Sequence, residues 1–130
     1  MAEASAMVSL TNAERSQAGL APFTASPRLM QAAQIHADQM VTLGQLAHVL
    51  SGAKYPNPVD RLTAVGYQWQ AWAENVAYGQ ASPASALSAW MNSSGHRANI
   101  LDAGLTELGT GYARDAEGRP YYVQVFGHPR

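Results

Sequence analysis

The chain contains no cysteine. That absence removes disulfides, thiolate nucleophiles and cysteine-containing zinc sites together. An excess of one charge is missing too: 8 Lys+Arg against 9 Asp+Glu leave a formal net charge of -1, and no Lys/Arg cluster marks a face for nucleic acid or lipid headgroups. Long apolar runs are also lacking. No window approaches the roughly 18 residues of a membrane span, and the opening MAEASAM lacks the basic and apolar regions of a signal peptide. Neither nucleic acid nor integral membrane association is therefore expected. Residues 1–6 are expected to be a disordered or appended lead, any export signal having been removed.

What is present is a chain of 130 residues, 47% hydrophobic, which is long enough to bury a core of its own and is read as one domain over 1–130, expected to be monomeric. Helix starts are the clearest local signals. Ser26-Pro27, Asn57-Pro58 and Ser82-Pro83 each place a capping side chain before a proline, which tolerates the first helical position. The first of these leads to Gly44, the second to Gly66 and the third through Trp90. A weaker helix signal runs from about Met7 to Gly19. The segment WQAWAENVAY at 69–78 reads as extended, and ELGTGYAR, the turn DAEG and YYVQVF read as an antiparallel hairpin. Four helices with one extended segment and a late hairpin predict an α+β fold with helices packed on a small antiparallel sheet.

Polar residues that could carry chemistry fall at the edges of these elements: His48 in LAHVLSG, Glu74 in AEN, His96 and Arg97 in SGHR, and Glu107 in TELG. Two imidazoles and two carboxylates are the ligand types of a zinc or other divalent site, although no local His-Glu-x-x-His pattern is present. His36, between Ile35 and Ala37 on an apolar helical face, reads as packing, and His128 as a frayed terminus. Ser93 and Ser94 precede His96 outside any Gly-x-Ser-x-Gly elbow, so nucleophilic catalysis has little support.

In order along the chain, LTNAERSQAGLAPF, LMQAAQIHADQM, AHVLSG, DRLTAVGYQWQAWAENVAYG, SAWMNSSGHRANILDAGLTELGTGYA and YYVQVFG resemble the motifs of the CAP (SCP) superfamily, the cysteine-rich secretory protein, antigen 5 and pathogenesis-related 1 group, in its disulfide-free bacterial branch. The resemblance implies an α-β-α sandwich with an about three-stranded antiparallel sheet between helices. It implies a central cavity in which His48, Glu74 and His96 line the site, with Glu107 standing in for a second glutamate whose usual position is Ser93. His48 and His96 are the implied ligands of zinc or another divalent cation, while Arg97 and Asn99 pin the turn. Ala73 replaces the family's Gly-Glu-Asn glycine, which matters only if the backbone there needs positive φ. The functions implied are a secreted or cell-envelope module binding a metal or a small-molecule, lipid or peptide ligand. The alternatives are a zinc-assisted hydrolase of peptide or cell-wall bonds, with Glu74 or Glu107 as general base, and a lipid- or sterol-binding module.

Overall fold

The computed structural model describes residues 2–130. Its elements follow in the order α1 (Ala2–Gln17), β1 (Thr24–Ala25), α2 (Pro27–Leu43), α3 (Pro58–Ala64), β2 (Trp69–Tyr78), α4 (Pro83–Met91), α5 (Ser94–Ile100), β3 (Glu107–Arg114) and β4 (Pro120–Pro129). The three expected cap-and-proline starts are all used. Ser26 Oγ accepts the Leu29 N–H at 3.2 Å, the Asn57 N–H donates to Asp60 Oδ2 at 3.2 Å, and Ser82 Oγ accepts the Ser85 N–H at 3.1 Å. Helix α2 stops at Gly44, whose φ of 65° suits a residue without a β-carbon.

Three differences from the sequence reading concern ends and short pieces. Helix α1 begins at Ala2, so residues 2–6, expected as a disordered lead, form its opening turn; Ala4 is buried and its carbonyl accepts the Thr110 hydroxyl at 2.7 Å. Met1 lies outside the described residues. His128 is a strand residue of β4 paired with Ala71, its Nδ1 3.2 Å from Thr106 Oγ1, and not a frayed end. The SGHR segment, read as a turn, is the first turn of α5.

The sheet order is β1-β3-β4-β2. Strands β3, β4 and β2 form the expected antiparallel set, and the two-residue β1 adds a parallel pairing to β3. Alternation along β4 splits the core in two: Tyr122 and Phe126 pack with Met7, Trp90 and Ile100 under α1, α4 and α5, while Tyr121, Val123 and Val125 pack with Leu29, Met40 and Leu62 under α2 and α3. The result is helices on both faces of one sheet. Helix α2 lies directly on β3 because Gly109 and Gly111 have no side chains; a β-carbon at Gly109 would stand 2.0 Å from the Leu29 carbonyl carbon. No helix among the described residues is long and apolar enough to cross a membrane.

Candidate functional site

Strand β2 is at the edge of the sheet, and its consecutive residues Glu74 and Asn75 point to opposite faces. On the α2 face, the Glu74 carboxylate is a hub. His48 Nδ1 lies 2.8 Å from Oε1, Arg61 Nη2 3.2 Å from Oε2, and His36 Nε2 3.5 Å from Oε1. On the other face, Asn75 Nδ2 donates to the His96 carbonyl at 3.1 Å and to Gln124 Oε1 at 3.0 Å, and Asn75 Oδ1 accepts Asn99 Nδ2 at 2.9 Å. The two segments that carry His48 and His96 are therefore fastened to adjacent residues of one edge strand, from its two sides.

A carboxylate oxygen can only accept, so the proton in the His48–Glu74 contact is on His48 Nδ1, and the neutral ring keeps its lone pair on Nε2. That hydrogen bond is the main reason the His48 pKa is raised above the ordinary histidine value, burial working against it. The Glu74 side chain is only 2% exposed, whereas His48 is 51% exposed: the carboxylate is sealed in and the imidazole edge faces solvent. His96 Nδ1 is 2.9 Å from Ser93 Oγ, which likewise leaves Nε2 without a protein partner. Partial burial lowers the His96 pKa, and the charge of His48 lowers it further, so the rings stand within each other's field. Among the described residues no three His, Asp or Glu side chains are grouped to hold an ion. The donors on offer are the two Nε2 atoms.

Buried arginines hold both segments in place. Arg61, 1% exposed, binds Glu74 and donates to the carbonyls of His48 at 2.8 Å and Tyr55 at 3.1 Å, tying the His48 loop to the strand. Arg15 donates to the Ile100 and Asp102 carbonyls at 2.9 and 3.0 Å, fixing the C-terminal end of α5. Arg15 falls in the quoted LTNAERSQAGLAPF motif, but the carbonyls it holds lie 85 and 87 residues away, and Arg61 gains its role only where the chain folds it onto Glu74 and the His48 carbonyl. His36 is buried as expected, yet it is packed against Glu74, and among the described residues neither of its ring nitrogens has a well-formed hydrogen-bond partner. Burial holds its pKa down to about 4, the attraction of Glu74 notwithstanding.

The remaining assignments divide. Asn99 pins α5 to Asn75, but Arg97 is exposed and among the described residues donates no side-chain hydrogen bond, so that half of the expectation is corrected. Ser93 contacts His96 from the position of the family's second glutamate. Glu107 is on the α2 face but apart from this cluster. It accepts the Tyr67 hydroxyl at 2.8 Å and lines a different cleft, of about 420 Å³, with Ser26, Arg28 and Arg130. Ala73 needs no left-handed backbone, since among the described residues no non-glycine residue has positive φ.

A family model described as the cysteine-rich secretory protein family (CAP) matches residues 8–126. The uncharacterized protein YkwD of Bacillus subtilis is 37% identical over 106 residues, which is 82% of this chain and 40% of that protein. Among solved structures, an extracellular protein containing a SCP domain from Bacillus anthracis superposes with a TM-score of 0.87 at 27% identity, over 98% of this chain and 40% of that one. The structure of NaASP2 with Zn2+ shares the fold, with a TM-score of 0.60 at 13% identity, over 93% of this chain and 76% of that one. This chain thus spans 40% of the length of each of these two Bacillus proteins. The match across nearly its whole length, with which the α-β-α layering agrees, shows that the chain belongs to the CAP family.

Proposed function

We propose that this is a ligand-binding CAP domain of the bacterial cell exterior, in which the Nε2 atoms of His48 and His96 together hold a divalent cation such as zinc. The observation that carries the reading is the state of the two rings. Each has Nδ1 committed to a protein oxygen, Glu74 for His48 and Ser93 for His96, and each leaves Nε2 free. A carboxylate behind a histidine fixes the ring and raises its basicity, the usual arrangement behind a metal-bound imidazole. Two protein ligands leave positions for water or ligand groups, and a bound ion would supply Lewis acidity there. A crystal structure of the distant relative NaASP2 contains zinc, and a bacterial relative is described as extracellular, which supports the ion and the location respectively.

Binding is favoured over hydrolysis by the state of the carboxylates. A general base must reach a water beside the ion. Glu74 is sealed in and already engaged by Arg61 and His48, and Glu107 is held by Tyr67 on another cleft. The test is calorimetric titration of metal-stripped protein with zinc at pH 7.5, beside the His48→Ala/His96→Ala double variant. Micromolar or tighter binding by the wild type alone is the expected result; equal binding by both, or by neither, defeats the reading.

A further inference from the structure

The cleft of about 420 Å³ that holds Glu107 lies where three parts of the chain meet: the start of α2, the turn Gly66–Gln68 leading into β2, and the open end of the β3–β4 ladder. Its volume is that of a small-molecule site. Glu107 opens β3, with Thr24 beside it on one strand and Gly127 on the other. Gly127 leaves the space that the Tyr67 ring fills, since a β-carbon there would stand 2.3 Å from the Tyr67 hydroxyl oxygen. Tyr67 is thus buried with its hydroxyl on Glu107 Oε1 at 2.8 Å. Burial first, and the Glu107 contact next, raise the Tyr67 pKa above the ordinary tyrosine value, so the hydroxyl stays a donor and the carboxylate its acceptor.

The charges around this pair are kept apart. Among the described residues, Glu107 Oε2 accepts no hydrogen bond and no cation forms an ion pair with the carboxylate, although Arg28 and Arg130 line the same cleft. Arg28 is held elsewhere: its Nη1 donates to the Gly66 carbonyl, on the turn that carries Tyr67. The Arg130 N–H fastens the same turn from the β4 side, donating to the Gln68 carbonyl at 3.1 Å. A carboxylate and a guanidinium that share a cleft without meeting leave each charge to a ligand. A simple anion would be repelled by Glu107, and a simple cation by the two arginines.

We propose that this cleft binds a small zwitterion of amino-acid or dipeptide size, its ammonium group on Glu107 Oε2 and its carboxylate on the Arg28 guanidinium. Among the described residues, Nε and Nη2 of Arg28 make no hydrogen bond, and together they can grip a carboxylate through two parallel ones. Tyr67 meanwhile fixes the direction of the Glu107 carboxylate without cancelling its charge, which leaves Oε2 to the ammonium. This inference goes beyond the metal reading and does not depend on it, because neither Glu107 nor Arg28 takes part in the His48–Glu74 or Ser93–His96 contacts.

The test is an amide-resolved NMR titration with alanine and with Ala-Ala, set against N-acetyl-Ala-Ala, Ala-Ala-amide and inorganic phosphate. Chelator is present throughout, so that no metal at the histidines captures the ligand. The expected result is saturable shift changes at the Tyr67, Gln68 and Glu107 amides with at least one of the two zwitterions, and binding about tenfold or more weaker for each blocked form, which has lost one charge-assisted contact. Glu107→Gln keeps an acceptor for the Tyr67 hydroxyl but loses the charge, and Arg28→Gln loses the guanidinium. Each variant, shown by its amide spectrum to be folded, should bind about tenfold or more weakly. No saturable change with either zwitterion at millimolar concentration, equal binding of a blocked form or of phosphate at the same amides, or wild-type affinity in either variant overturns the proposal.

Discussion

His36 is fully buried, uncharged at neutral pH and packed against a carboxylate without a well-formed hydrogen bond, so its proton affinity is a stability term. Its folded pKa is about 4, below the ordinary histidine value of 6.5 that the unfolded chain shows. Between those values the unfolded chain binds the proton and the folded protein does not. The stabilisation is complete above pH 6.5, is lost as pH falls, and levels off below about 4, a loss of about 3 kcal/mol. His48 has the opposite sign, its raised pKa contributing below 6.5 and fading as pH rises, but it is half exposed and screened by solvent. Urea unfolding from pH 7 to 4 should therefore show falling stability in the wild type and a much flatter profile in His36→Gln; parallel profiles would remove His36 as the cause. The neighbouring arginine makes a second test. Arg61→Met leaves the buried Glu74 without its guanidinium and the His48 carbonyl without its donor, and should cost about 3–5 kcal/mol in the same assay.

At the scale of elements, the sequence was legible where the signal is local. A side-chain cap followed by proline sets a helix start from within a few residues, so the starts of α2, α3 and α4 are found, as are β2 and the β3–β4 hairpin from their composition and turn. What escaped depends on distant partners. Helix α5 has seven residues, includes Gly95 and shows no apolar stripe; it is held by Asn75 through Asn99 and by Arg15 at its end. Strand β1 exists only because Thr24 and Ala25 meet Glu107 and Leu108. The site follows the same division. His48, Glu74 and His96 are visible through family motifs, whereas Arg61 and His36 gain their meaning only when α3 and α2 bring them to Glu74. Packing supplies the sharpest prediction here. Gly109→Ala would drive a methyl group into the Leu29 backbone, which no side-chain rotation can relieve, and should destabilise by about 3 kcal/mol, with Ser26→Ala costing about 1 kcal/mol through its lost cap. Thermal melts of the two variants should rank them in that order.

For the whole molecule, the consequence of the edge position is that the two histidines belong to different layers. His48 is in the loop between α2 and α3 on one face, and His96 is in α5 on the other, where a polar chain runs on from Asn75 to Gln124, then to Thr11 of α1 at 2.8 Å. An ion held by both rings would bridge the layers around the edge of the sheet, a connection that the cysteine-free chain makes nowhere by disulfide. Ligation should then register as folding stability. At zinc about 100 times Kd, binding to the folded state alone adds about 2.7 kcal/mol. Because the bridge needs both ends, His48→Ala and His96→Ala should each remove nearly all of that increment. If each single variant kept about half of it, the rings would be binding zinc independently. A stability gain that survived both substitutions would place the ion elsewhere in the protein.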